Sequence, residues 1–485
     1  MKQEPTGAAH AAGGISRLQA GEDVKHTGQR RAGVLWTPEH RRTTVGLLLV
    51  VTLLAFENMG VATAMPTMVA DLDGGELYSW PFTAFLVASV AATVLSGRIC
   101  DHRGPALPLL IGPWIFLAGL LTAGLAPGMA ALLVGRALQG FGTGVLLVAT
   151  SLLIALVYDD RERPVIYAAN AAAWVLPAVL GPPIAGLVTE TAGWRWVFLG
   201  LVPVLLAGVA MLVPVVRGLP GHVADEHVRR ASIAAAVAVA VAVAALTWAA
   251  QRPSATAVTV GLALAALTVL AVSLRALLPV GTLTGRPGLP TVVGSRALLA
   301  GAFAGLEAYL PLTMSRVHGH GPALAGLPLT VGALSWSAAS VVQGRNPDWS
   351  RRALLRAAFG FVAAGLALFA LVAWAGAPAW VAFAASACAG AGMGLGMPSI
   401  SVLLLRLSPP AERGFNTSAT QLGDWITSAL TIGAGGVLLG LLGGTGRPSA
   451  AVALLAAALA LIAVVGGLLV HRGLRERTRD VHPTT

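Results

Sequence analysis

Charge is scarce in this sequence: Asp, Glu, Lys and Arg make up 11% of its 485 residues, where an ordinary soluble domain carries about 25%. With 56% of the chain hydrophobic, a soluble fold could not cover its surface, so the solvent for most of the chain is lipid. Cysteine is scarce as well. Cys100, in a short loop, and Cys388, in an apolar run, offer neither a disulfide framework nor a metal-ligand spacing. His318-Gly-His320 lies in a glycine-rich loop and reads as solvated. No metal and no cofactor is expected. Lysine is nearly absent, with Lys2 and Lys25 alone among 32 basic residues. The net charge of +11 is therefore carried by arginine. Beside so much Ala and Gly it reads as the coding bias of a GC-rich genome, and a bacterial inner membrane is the expected location. No compact basic domain gathers that charge, which argues against a nucleic-acid partner. Residues 1–43 lack an apolar core with a cleavage site, so this polar, basic stretch reads as a disordered cytoplasmic tail rather than a signal peptide. No nucleophile–base pair, metal cluster or phosphate loop is found, which argues against an enzyme.

Long apolar runs are what the chain has in quantity. A helix crosses the hydrocarbon core with about 20 apolar residues. Fourteen stretches qualify: 44–69, 80–97, 105–125, 129–157, 165–188, 194–216, 231–250, 255–280, 290–315, 322–343, 352–375, 378–405, 413–441 and 448–470. Lys and Arg accumulate in cytoplasmic loops. With a cytoplasmic N-terminus, 27 of the basic residues fall inside and 4 outside, leaving Arg136 alone within a span. Both termini are then cytoplasmic.

The chain also repeats itself at an offset of about 250 residues. Gly97-Arg98-x-x-Asp101 is echoed by Gly344-Arg345-x-x-Asp348, and Glu57 by Glu307. Gly140, Gly142 and Gly144 are echoed by Gly390, Gly392 and Gly394, and Asn170 by Asn416. The order of these matches makes two copies of the same orientation. The expected fold is an all-α membrane protein: two six-helix bundles in parallel pseudo-repeat, residues 44–217 and 290–470. Two inserted helices occupy 218–289, and a cytoplasmic tail occupies 471–485. Parallel repeats with a site near the midplane are one known transporter plan.

Ionisable groups at membrane depth are expensive and mark function by default. Glu57, Glu307 and Asp424 qualify, each with polar neighbours at helical spacing: Asn58 beside Glu57, and Thr420, Gln421, Thr427 and Ser428 around Asp424. A carboxyl in a dry site keeps its proton and one wetted by solvent releases it. A carboxyl exposed alternately to the two sides can therefore carry a proton, and can attract a cation while ionised. Arg136 must meet an acid or carbonyl groups. The loop Gly97-Arg98-Ile99-Cys100-Asp101-His102-Arg103-Gly104, between spans 2 and 3, reads as a cytoplasmic latch in which Asp101 pairs with arginine or faces a helix terminus. In span 5, Pro177, Gly181, Pro182 and Gly186 are expected to interrupt and bend the helix at the interface between bundles.

These motifs resemble those of the major facilitator superfamily, specifically its fourteen-helix drug:proton antiporters. The segment Gly97 to Gly104 is similar to the superfamily's signature between helices 2 and 3. Leu133-Val134-Gly135-Arg136-Ala137-Leu138-Gln139-Gly140-Phe141-Gly142 is similar to the helix 4 motif, whose arginine is tied to proton coupling. Pro177 to Gly186 resembles the helix 5 antiporter motif, Glu57 to Pro66 the helix 1 motif, and Trp194-Arg195-Trp196-Val197-Phe198 the start of helix 6. Departures are Glu57 for an aspartate, Pro177 and Ala185 for glycines, Pro105 for a basic residue, and the missing glycine after Asp348. The resemblance implies proton-coupled efflux of amphipathic, cationic small molecules by alternating access, in a monomer. Glu57, Glu307 and Asp424 would exchange protons under the influence of Arg136. Asn58, Asn170, Trp174, Tyr309, Gln421 and Trp425, with Glu57, would face the substrate. A dedicated exporter of one endogenous metabolite and an ion-coupled importer on the same fold are the rival readings.

Overall fold

The computed structural model describes residues 35–38, 40–159, 162–219, 232–250, 256–346, 348–374, 377–409 and 412–474. The described residues form fourteen long helices in up-and-down order: α1 (Arg41–Asp71), α2 (Trp80–Arg103), α3 (Ala106–Gly124), α4 (Met129–Val157), α5 (Arg163–Thr191), α6 in two pieces (Arg195–Leu199 and Val202–Arg217), α7 (Ile233–Ala250), α8 (Ala257–Leu277), α9 (Leu289–Arg316), α10 (Pro322–Arg345), α11 (Arg351–Ala373), α12 (Val381–Leu407), α13 (Arg413–Leu441) and α14 (Ser449–Gly473). Thirteen are long and apolar enough to cross a membrane; α7 is apolar but shorter.

Local chemistry sets the ends. Proline occupies the first or second position of α2, α5, α9 and α10, where its missing N–H costs nothing. The hydroxyls of Thr256 and Ser350 accept from the backbone N–H three residues on, opening α8 and α11. In lipid every backbone group must be satisfied within the helix, which is why apolar runs this long become uninterrupted helices.

The pseudo-repeat is visible in the packing. α2 lies on α4 and α10 on α12. A Cβ at Gly140 would strike the Phe85 carbonyl, and one at Gly390 the Gly332 carbonyl. Glycine is what allows these backbones to touch. Hydroxyls close both seams: Ser89 Oγ donates to the Gly140 carbonyl at 2.9 Å and Ser96 Oγ to that of Val145 at 3.0 Å. Ser335 Oγ donates to the Ala387 carbonyl at 2.7 Å and Ser340 Oγ to that of Gly394 at 3.2 Å. α7 packs against both α2 and α13, and α8 packs on α7.

Three expectations change. The segment from Gly97 to Arg103 is not a loop but the last two turns of α2, with Cys100 buried in it; nothing in it breaks a helix. The turn is Gly104 alone, at φ +74°, donating its N–H to the Cys100 carbonyl at 2.9 Å. α5 is not interrupted: it stays helical through Pro177, Pro182 and Pro183. The N-terminal tail expectation falls, for residues 1–34 and 39, outside the described residues, as do residues 475–485 of the other tail. Arg41 to Thr43 already belong to α1, and Leu35 is buried, its carbonyl accepting from Thr44 Oγ1 at 3.0 Å.

Candidate functional site

Two helix pairs make the main contacts between the halves, α2 with α13 and α5 with α10, and α1 also meets α9 and α10. Gly186 of α5 sits against the backbone of Pro322 and Ala323, and Gly181 faces Met59 and Phe56 of α1. The Glu190 carboxylate accepts from the Ala323 N–H at 2.9 Å, and Thr330 Oγ1 donates to the Val179 carbonyl at 3.0 Å. Tyr78 Oη donates to the Ala308 carbonyl at 2.7 Å. These ties gather toward one end of the molecule. The helix ends bearing Arg103, Arg345 and Arg406 lie at the other, called the basic end here.

Between the halves lies a cavity of about 350 Å³, with walls from α1, α2, α4, α5, α9, α10, α12 and α13. Of the residues singled out from the sequence, Glu307, Asp424, Arg136, Asn58, Trp174, Gln421 and Trp425 reach its wall. Glu57, Asn170 and Tyr309 do not.

The three acids have three different settings. Glu57 is fully buried and ion-paired with Arg136. Arg136 also donates to Gln139 Oε1 at 3.0 Å and to the Pro81 carbonyl at 3.2 Å, and its guanidinium lies 4.5 Å from the Phe85 ring centroid. Asp424 receives Arg296 through Nε at 2.9 Å and through Nη2 at 2.8 Å. Glu307 faces the cavity with no hydrogen-bond or ion-pair partner among the described residues. At formal charges the two pairs cancel, leaving the cavity one negative charge, on Glu307.

Arg296 corrects a reading made from the sequence, which counted it with the cytoplasmic basic residues and left Arg136 as the lone cation within a span. α9 begins at Leu289 with Pro290 in its first turn, so Arg296 stands two turns, about 10 Å, inside the helix. Proline at the start of a helix is the signal that would have placed it. Aromatic and thioether side chains fill the rest of the wall. The rings of Phe303 and Trp336 meet edge to face at 5.5 Å, as do those of Phe85 and Trp425 at 6.3 Å. Met59, Met393 and Met397 add polarizable, adaptable surface.

Tyr309 closes the cavity instead of lining it. It is fully buried, packs on Tyr78 with centroids 5.6 Å apart, and donates to the Ile432 carbonyl at 2.5 Å. Ala308 and Ile432, whose carbonyls take the two tyrosine hydroxyls, are themselves cavity residues. The pair thus plugs the end away from the basic one. Asn170 has a buried Oδ1 without a partner among the described residues, away from the cavity. Among the proposed latch residues, Arg98 and Asp101 are half-buried on the last turns of α2, while Arg103 is exposed. Asp348 is exposed beyond the end of α10, next to a basic hollow.

Residues 47–422 match the family model of the Major Facilitator Superfamily. The chain belongs to that superfamily. Family and relatives point to a membrane transporter rather than an enzyme. Among relatives of the superfamily, it is 31% identical over 176 residues to the multidrug transporter protein MdtP of Bacillus subtilis, covering 36% of this chain and 32% of that one. It is 28% identical over 171 residues to the multidrug efflux pump SdrM of Staphylococcus aureus, covering 35% and 38%. It is 34% identical over 160 residues to multidrug resistance protein 3 of Bacillus subtilis, covering 33% and 31%. The aligned stretches span about a third of each of these relatives. Among solved structures, a D-xylose-proton symporter superposes with a TM-score of 0.65 at 14% identity, covering 90% of this chain and 98% of that one. A POT family transporter bound to a thioalcohol-conjugated peptide gives 0.68 at 14%, covering 89% and 96%. At such identities these two bear on the fold alone.

Proposed function

We propose that this transporter exports amphipathic cationic small molecules from the cytoplasm in exchange for protons. The observation that carries the reading is Glu307, the cavity acid with no partner among the described residues, while the other two acids are already neutralised by arginine. A proton and a cationic substrate cannot both neutralise it, so each displaces the other. The aromatic and methionine wall suits a flat, apolar cation, through cation–π contact and adaptable packing. Relatives named as multidrug transporters favour the same reading. Residues 44–217 and 290–470 act as two rocking bundles. The basic end is cytoplasmic, by the arginine bias of its loops. The tyrosine plug and the Glu190 tie then hold the outer side shut, and proton arrival from outside releases substrate after they part. In this scheme Glu57 and Arg136 fasten α1 to α4 instead of exchanging protons. Pro177, Gly181, Pro182 and Gly186 shape the sliding seam of α5, and Gly97, Arg98, Asp101, Arg103 and Gly104 form the cytoplasmic latch opposite Asp348.

Direction and coupling are read together in inverted membrane vesicles. Acidifying the lumen should drive accumulation of a cationic dye, and unrelated cations should compete with it. Accumulation upon alkalinising the lumen would indicate an importer, and competition confined to one compound would indicate a dedicated exporter.

A further inference from the structure

A second hollow, apart from the transport cavity, lies at the basic end. Its volume is about 920 Å³, and it is formed where the starts of α9 and α11 meet the ends of α12 and α14. Arg351, Arg352, Arg406 and Arg472 line it, with Asp348 as its one acid among the described residues and Trp349 beside it. At formal charges the lining carries an excess of three positive charges. Arg406 and Arg472 are exposed and make no hydrogen bond or ion pair with a described residue. Arg352 donates Nη2 to the His471 carbonyl at 2.7 Å, yet its Nε is buried without a partner among the described residues. Cationic side chains at the last turn of a helix answer its dipole, which accounts for Arg406 and Arg472 one at a time. It does not account for four guanidinium groups converging on one hollow, where they repel each other. The first half does not repeat the cluster: Gly104 and Pro105 stand at the repeat positions of Arg351 and Arg352.

We infer that this hollow binds the phosphate of an anionic phospholipid from the adjoining leaflet. Guanidinium groups match phosphate oxygens in a planar, two-point fashion, and basic hollows between membrane helices take acidic headgroups. The remaining walls decide between a lipid and a free phosphate ion. Leu403, Leu407 and Leu474 give the hollow an apolar side. Leu407 is 42% and Trp349 45% exposed, and tryptophan belongs at headgroup depth. A free ion has no use for such a wall, whereas a diacyl lipid covers it.

The test uses the full-length protein, purified in detergent and titrated with short-chain phosphatidylglycerol, phosphatidylcholine or inorganic phosphate, with bound lipid counted by native mass spectrometry. Phosphatidylglycerol should bind well ahead of phosphatidylcholine, and millimolar phosphate should leave that binding unchanged. Arg406→Gln and Arg472→Gln should each weaken it about tenfold, the cost of one charge-assisted contact. Arg103→Gln, at the end of α2, should not alter it. If Arg472→Gln is lost on purification, Arg406→Gln alone carries the comparison. Equal binding of phosphatidylcholine, displacement by inorganic phosphate, or unchanged affinity in the arginine variants would overturn the assignment. None of these outcomes depends on the direction or coupling of transport.

Discussion

Replacing Glu57 with glutamine should damage the fold more than the transport chemistry. The carboxylate is fully buried, and the Arg136 side chain is 3% exposed. A glutamine at this position would keep the shape and one acceptor oxygen but remove the charge, leaving the Arg136 cation with neutral neighbours, among them Gln139, the Pro81 carbonyl and the Phe85 ring. Breaking a buried ion pair from one side costs about 3–5 kcal/mol, because the surviving charge is left without compensation. The pair joins α1 to α4, and those three remaining contacts still hold Arg136, so the lower part of that range is expected. Removing both charges together (Glu57→Gln with Arg136→Gln) should recover at least half the loss, since no bare charge remains. The assay is the fraction of detergent-purified protein that stays monodisperse through a temperature ramp, for wild type, both single variants and the double variant. Glu307→Gln, in the same assay, should lie within about 0.5 kcal/mol of wild type, as expected of a side chain that leaves no partner behind. If Glu57→Gln is as stable as wild type, or the double variant is worse than the sum of the singles, the pair does not hold the bundle together and the argument fails.

Three further outcomes follow from the same geometry. Gly140→Ala and Gly390→Ala force neighbouring backbones apart and should each cost about 1–3 kcal/mol, whereas Gly97→Ala, with nothing within 4 Å of the added carbon, should be neutral or slightly stabilising; the same temperature ramp decides. Asp424→Asn leaves Arg296 uncompensated on the cavity wall and should raise the KM of a monocationic dye at least about tenfold, with recovery when Arg296→Gln is added; an unchanged KM would remove this pair from the cavity's charge balance. Glu190→Ala removes the bond to the Ala323 N–H, worth about 1.5–3 kcal/mol when a charge is involved. Amide exchange in the first turn of α10 should then accelerate, and unaltered exchange would mean the tie does not help hold that end shut.

The helices were legible because lipid imposes length. The run 129–157 is α4 to the residue, and 413–441 is α13. The repeat was legible because close backbone approach needs glycine at fixed places, and the series from Gly140 and from Gly390 sit where that approach occurs. Pairing was not legible. Glu57 and Arg136 are 79 residues apart, and Arg296 and Asp424 are 128 apart; nothing in local pattern says which acid meets which arginine. The three acids therefore looked alike, although two are spoken for. Tyr309 was misread for a related reason: an aromatic residue two positions past a cavity acid lies far round the helix from it, about 200° at 3.6 residues per turn. The hydroxyl went to the Ile432 carbonyl instead. The end of α2 was misread because a basic, glycine-opened stretch resembles a loop, while a helix continuing beyond the hydrocarbon can carry the same residues.

The central claim is that Glu307 is the group for which proton and substrate compete. The most direct measurement is dye flux in proteoliposomes holding Glu307→Gln, with and without an imposed proton gradient, beside wild type. Gradient-driven uptake should vanish in the variant while its stability and downhill dye exchange persist, because glutamine neither takes up nor releases the proton. Undiminished gradient-driven uptake by Glu307→Gln would contradict the account.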